Sequence, residues 1–178
     1  MRRKAPRPIQ EIVVQHSIPA ERGCLSWFYG YAVDGRGTMI HGKTIDQLKV
    51  GDTAEFAKTV TESDIYLFAG ITGDLNPAHI NETYAKNTYF KGRIAHGMLS
   101  AGFISAVLGT LLPGPGTIYL RQELNFLAPV RIGDTITAYA EVVEKLTEKN
   151  RVRLRTSCMN QDGTRVVDGE AMVLAPKA

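Results

Sequence analysis

Two periods of hydrophobicity alternate between Val50 and Leu174. Gly51-Asp52 reads as a turn, after which Ala54, Phe56, Lys58 and Val60 alternate with Thr53, Glu55, Ala57 and Thr59, the pattern of a strand with one packed face. Thr61 followed three residues later by Asp64 signals a helix start. Ile65, Phe68, Ala69 and Thr72 give that helix one inward stripe, and Gly73 ends it. A second short helix is predicted from an Asn81 cap through Tyr84, Ala85 and Thr88 to a stop at Gly92. His96 or Gly97 then opens a third, whose apolar run from Met98 to Leu112 surrounds the whole circumference and predicts a helix covered on every side.

The C-terminal half supplies the cover. Ile118, Leu120, Gln122, Leu124 and Phe126 alternate with Tyr119, Arg121, Glu123 and Asn125, so one face of this strand should be dry and Gln122 on it should be a satisfied core amide. Ile136, Ala138, Ala140 and Val142 repeat the pattern, as do Val152, Leu154, Thr156 and Cys158, and a last strand covers about Val166 to Leu174. Lys149-Asn150 and Asp162-Gly163 are hairpin-type turns, and connections this short join only antiparallel neighbours. The pattern predicts an α+β fold: an antiparallel sheet of at least five strands wrapped round one long central hydrophobic helix.

Composition narrows the class without changing this picture. The chain has 178 residues, 44% of them apolar, enough to fill the core of one domain and thin for two. Residues 1–44 show neither period and carry Pro6, Pro8, Pro19 and scattered glycines, so they are set apart as an N-terminal extension of unknown role, with the domain at 45–178. The formal charge of +3 is more than supplied by Arg2, Arg3, Lys4 and Arg7, so the remainder stands at −1 and offers no basic surface for nucleic acid. The run from Met98 to Leu112 is interrupted by Ser100, Gly102, Ser105 and Gly109 and is shorter than the roughly 20 apolar residues of a membrane span. Cys24 and Cys158 are too few for a disulfide framework. A reducing, cytoplasmic location is expected, an organellar matrix being the other setting that fits.

Candidate chemistry lies between the two helix signals at Gly73 and Asn81. Asp74 and His79 share a short irregular segment, and Asn76-Pro77 pushes the chain out of helical geometry there, so a carboxylate and an imidazole can converge on one point. A pair that reaches one water can activate it and also deliver a proton, as addition of water across a double bond requires. Taken as an isolated pair, they are more simply a turn cap and an ordinary surface histidine. The second constellation is His96-Gly97-Met98, where the unpaired amides of a helix N-terminus meet a residue without a Cβ; an oxyanion such as a thioester oxygen suits that place. Ser105 is a lone hydroxyl further along the same helix. No cysteine or histidine pair has zinc spacing, no glycine loop cradles phosphate, and no metal or cofactor is expected.

Together these residues carry a resemblance. Asp74-x-Asn76-Pro77-x-His79, followed by His96-Gly97-Met98-Leu99 and the long helix, resembles the hydratase motif of the MaoC-like, (R)-specific enoyl-CoA hydratases. The block Leu112-Pro113-Gly114-Pro115-Gly116-Thr117-Ile118-Tyr119-Leu120-x-Gln122, with Phe126, Pro129-Val130 and Gly133-Asp134, is similar to theirs in order and spacing over roughly residues 45–178. The resemblance implies a hot-dog fold and a homodimer. It further implies that Asp74 and His79 hold and activate the catalytic water, Asn76 shapes their loop, the Gly97 amide binds the thioester oxygen, and Asn76, His96 and the family's helix serine, Ser105, join Gly97 in binding substrate. Ser100-Ala101-Gly102 falls on a stretch that varies among such relatives and bears on the acyl pocket. The implied reaction is reversible addition of water to a trans-2-enoyl thioester of CoA or acyl-carrier protein, giving the (R)-3-hydroxyacyl thioester. An acyl-CoA thioesterase on the same scaffold and a non-catalytic acyl-thioester-binding subunit are the rival readings. Lys86, Lys91 and Arg93 are candidates for contact with the CoA phosphates.

Overall fold

The computed structural model describes residues 41–177 together with the backbone of 26–28 and 31–33. The chain divides into two units, Met1–Met39 and Ile40–Ala178. In the first, β1 (Ser26–Phe28) and β2 (Tyr31–Val33) pair antiparallel. Most of the N-terminal extension, with Cys24 and the four leading cations, lies outside the described residues.

The second unit contains β3 (Thr53–Thr59), α1 (Glu62–Thr72), α2 (Pro77–Ile80), α3 (Glu82–Ala85), α4 (Gly97–Thr110), β4 (Ile118–Phe126), β5 (Thr135–Leu146), β6 (Arg151–Met159) and β7 (Arg165–Leu174). The last five strands of the chain form one antiparallel sheet in the order β3-β5-β6-β7-β4, with β3 and β4 at its edges. The predicted turns hold: Asn150 and Gly163 both adopt positive φ between the strands they join. Gly169 is required where β7 passes β4, because a Cβ there would lie 2.0 Å from the Glu123 carbonyl oxygen.

Helix α1 begins and ends as its sequence implies. Asp64 Oδ2 accepts the Thr61 amide while the Thr61 hydroxyl accepts the Asp64 amide, and Gly73 closes the helix at φ 77°. Lys58 lies 2.8 Å from the same Asp64 carboxylate and, with those Thr61 bonds, holds its pKa down to about 2. Helix α4 lies across β3 and β5, and its Ile104, Val107 and Leu108 are fully buried with Ile136, Val142 and Leu154 of the sheet. The small residues Ala138 and Ala140 on β5, also fully buried, let the helix come close. This is the hot-dog arrangement: a curved antiparallel sheet around a central helix.

One expectation fails in an informative way. Helix α4 is not covered on every side: Met98, Gly102, Ser105 and Gly109 form an open stripe along it. Nor is the apolar face of β4 dry, since Ile118, Leu120 and Phe126 are 57%, 43% and 53% exposed. The physical reason is placement. The helix sits over β3 and β5, so edge strand β4 extends past it, and the two bare surfaces flank a groove of about 470 Å³ lined by Met98, Ala101, Leu120, Gln122, Leu124 and Phe126. Gln122 is half-buried there and satisfied as expected, donating to Thr156 Oγ1 at 3.0 Å and to the Glu123 carbonyl at 2.9 Å.

Candidate active site

The segment after α1 is built from short polar bonds. The Asp74 amide donates to Thr72 Oγ1 at 3.3 Å, and Asp74 Oδ1 accepts the Asn76 amide at 3.2 Å. Asn76 then caps α2, its Oδ1 accepting the Ala78 amide at 3.1 Å while Pro77 takes the first helical position, where its missing N–H costs nothing. Sequence reasoning left this stretch irregular and so missed α2; a one-turn helix has no period to detect. The outcome is that Asp74 precedes the turn and His79 emerges from it on the same side.

His79 is half-buried, and its Nδ1–H donates to the Ile94 carbonyl at 2.9 Å. In the neutral ring that bond selects the Nδ1–H tautomer and puts the lone pair on Nε2. His96 packs behind it: the two rings lie 3.9 Å apart between centroids, and Phe68 covers the other side of His96 at 4.9 Å. His96 Nε2–H donates to the main-chain carbonyl of Asp74 at 3.0 Å, while its Nδ1 has no partner among the described residues. One atom each from the Asp74 carboxylate and the two imidazoles lie within 4.8 Å of one another. These are ligand types for a divalent cation as well as proton-transfer groups.

The structure therefore brings Asp74, Asn76, His79 and the start of α4 together. It assigns His96 differently from expectation: with only 2% of its surface exposed, the ring has none to offer a substrate and instead ties the Asp74 main chain to α4. Ser105 does not join the group. It is exposed on the open stripe of α4, eight residues beyond Gly97 and hence about 12 Å along the helix at 1.5 Å per residue. Ser100, one turn after His96, is buried and borders the site.

Beside His79 a cavity of about 440 Å³ is lined by Phe90, Gly97, Ser100, Phe126 and Val167 among others, an apolar space that opens at the N-terminus of α4. Gly97 and Met98 occupy the first positions of that helix, whose initial amides have no intrahelical acceptor and carry the positive end of the dipole. A Cβ on Gly97 would fall 2.7 Å from the Phe126 ring, so glycine is what leaves room beside this amide. At the mouth Tyr89 is 90% exposed. Arg93, one of the three cations considered for phosphate contact, is already committed. It lies 2.6 Å from Glu62 and 3.4 Å from Glu82, so those carboxylates take the charge that a phosphate would have met. Lys86 approaches Glu82 more loosely, at 3.8 Å.

What such an arrangement can do is polarise a carbonyl at Gly97 and exchange protons at His79 and Asp74, next to space for an acyl chain. Comparison with known proteins agrees. The MaoC like domain family matches residues 47–163. The chain is 60% identical over 131 residues, 74% of its length and 90% of the relative's, to an (R)-specific enoyl-CoA hydratase of Rhodospirillum rubrum. It is 52% identical over 132 residues to a 3-hydroxybutyryl-CoA dehydratase of Methylorubrum extorquens, covering 74% of this chain and 83% of that one. Among solved structures, the unliganded R-hydratase PhaJ1 from Pseudomonas aeruginosa superposes with a TM-score of 0.74 at 50% identity, over 78% of this chain and 89% of that one. With the family matching more than half of its length and a relative 60% identical over most of the domain, the chain belongs to the MaoC-like family.

Proposed function

We infer that the protein is an (R)-specific enoyl-CoA hydratase, adding water reversibly to trans-2-enoyl thioesters. The observation that carries this reading is the pairing of the two groups: a ring nitrogen of His79 and an Asp74 carboxylate oxygen lie within 4.8 Å of each other, and with Nδ1–H given to the Ile94 carbonyl the neutral ring keeps its lone pair on Nε2. A water held by both is oriented by the carboxylate and loses a proton to Nε2 as its oxygen attacks C3. Electron density moves through C2 to the thioester oxygen, where the Gly97 amide receives it. The imidazolium then returns the proton to C2, and His79 and Asp74 end as they began. Dehydration retraces the same path.

The test is direct. Purified protein with crotonyl-CoA is expected to abolish the enoyl-thioester absorbance without releasing free thiol. Thiol release without prior loss of conjugation would mean a thioesterase, and saturable binding with no turnover would mean a binding subunit; either result removes the hydratase reading.

The same reading takes 45–178 as the hydratase domain and 1–44 as an N-terminal extension of unknown role. The reading also places the protein in a reducing, cytoplasmic setting. No helix among the described residues is long and apolar enough to cross a membrane, and burial pushes the Cys158 thiol up to about 12. A homodimer is proposed from the bare edge. Among the described residues strand β4 has one unpaired edge together with exposed Ile118, Leu120 and Phe126, and the stripe of α4 that carries Ser105 lies open beside the adjoining groove. A second copy joined along β4 would bury all of these. Leu120→Asp is expected to shift sedimentation equilibrium from dimer to monomer, and an unchanged dimer would exclude β4 as the interface.

A further inference from the structure

Six residues, 90–95, connect the mouth of the cavity to α4 without belonging to helix or sheet, so their carbonyls have no ladder to enter. One of those carbonyls, that of Ile94, decides the orientation of His79. One side chain on the loop between β4 and β5 takes up three of the others, while the Arg93 amide donates to the Glu82 carboxylate at 3.3 Å. The Arg131 guanidinium donates through Nη2 to the Phe90 carbonyl and through Nη1 to the carbonyls of Gly92 at 3.2 Å and Arg93 at 3.4 Å. Its own backbone is fixed in turn, since the Arg131 amide donates to Asp134 Oδ2 at 2.7 Å. On the far side of the segment the Ile94 amide reaches the Ala78 carbonyl at 3.3 Å, and the Ala95 amide reaches the Val130 carbonyl at 2.8 Å.

We propose that Arg131 is the positioning residue for His79: by clamping the carbonyls of residues 90, 92 and 93 it sets where the Ile94 carbonyl stands, and so which nitrogen of His79 faces the water. The inference rests on the hydratase reading, in which Nε2 exchanges the proton. Three features of the geometry favour arginine specifically. A planar fork with five N–H donors can serve three carbonyls on one irregular strand, whereas an ammonium is a point donor on a flexible stem. The clamped stretch is conformationally unusual, Lys91 having φ 58° and Gly92 φ 157°, so it needs an external hold to keep its shape. A Cβ at Gly92 would sit 3.4 Å from Arg131 Nη1, so the guanidinium occupies the space beside that glycine. Arg131 itself touches no reacting atom. Its effect passes through the main chain of 90–94 to one hydrogen bond.

The experiment pairs kinetics with a readout that needs no substrate. Arg131→Met is expected to lower kcat for crotonyl-CoA roughly 100-fold, the scale of an ångström-sized misplacement, with KM little changed. In nitrogen-15 spectra the His79 ring, assigned by its absence from His79→Gln, should show one Nδ1-protonated tautomer in the wild type and a mixture of tautomers in Arg131→Met. Arg131→Lys keeps the charge and most of the packing, and is expected to mix tautomers too and to recover only part of kcat; it also serves if Arg131→Met fails to fold. A fixed Nδ1–H tautomer in a folded Arg131 variant overturns the proposal. So does full rescue by lysine, or a loss confined to KM, which would make Arg131 a substrate-binding charge. Because the tautomer is read without turnover, a wild type inactive on crotonyl-CoA would sink the hydratase reading while leaving the clamp itself to be judged on the spectra.

Discussion

His79→Gln is expected to reduce kcat for crotonyl-CoA hydration by about 10³-fold, within the range that a positioned acid–base group supplies, while KM changes little. Glutamine is an informative replacement because its amide keeps a polar group of similar reach at the place of Nε2 and removes the group that exchanges a proton. Asp74→Asn is its counterpart. The asparagine oxygen can go on accepting the Asn76 amide, held at 3.2 Å by Oδ1, so the turn leading into α2 survives and only the negative charge is lost. A comparable fall is expected there. The double variant should be little worse than either single one, because two groups serving one water act as a unit and their losses do not add. The measurement is the rate of disappearance of the enoyl-thioester absorbance, with circular dichroism to confirm the fold. Either single variant retaining a tenth or more of the wild-type rate, on the order of a loss smaller than any acid–base group should produce, would remove Asp74 and His79 from the chemistry.

The parts of this molecule that a sequence announces are the ones governed by period and by caps. Helix α1 could be bounded at both ends because Thr61, Asp64 and Gly73 each have a local reason to be there, and the strands because alternation survives any detail of register. The covering of α4 was misjudged for a physical reason rather than a statistical one. An all-round apolar helix must be covered by something, but the pattern does not say that the something belongs to the same chain, and the bare stripe through Met98 and Ser105 faces the side that its own sheet leaves open. The site divides in the same way. Asp74, His79 and Gly97 are legible as residue types at informative places. The Ile94 carbonyl and the Arg131 fork are not, because a backbone carbonyl is the same at every residue and its use is decided by how the chain is folded back. His96 looked like a substrate contact because it adjoins Gly97 in sequence. The helix start points its amide outward and its own imidazole inward, onto His79 and the Asp74 main chain.

Gly97→Ala is expected to cost at least about 10²-fold in kcat, the scale found on loss of one donor to a developing oxyanion, with thermal stability nearly unchanged. The two effects have separate origins. For stability, alanine in a helix gains roughly 0.5–1 kcal/mol over glycine through the backbone entropy it no longer has to lose. Against this stands a Cβ placed 2.7 Å from the Phe126 ring, but that ring is 53% exposed and is the far end of a side chain that can turn away at small cost. For catalysis there is no such relief. The methyl group and the displaced ring both occupy the approach to the first amide of α4, and a thioester oxygen held even an ångström further from that N–H loses most of the stabilisation when its charge develops. Phe126→Ala separates the contributions. If the amide is what matters, Phe126→Ala alone should stay active, and Gly97→Ala combined with Phe126→Ala should remain as slow as Gly97→Ala by itself, since the methyl group still crowds the N–H. If the double variant regains the wild-type kcat, the loss belonged to the displaced ring, and the oxyanion donor must be sought at a different amide of the same helix turn.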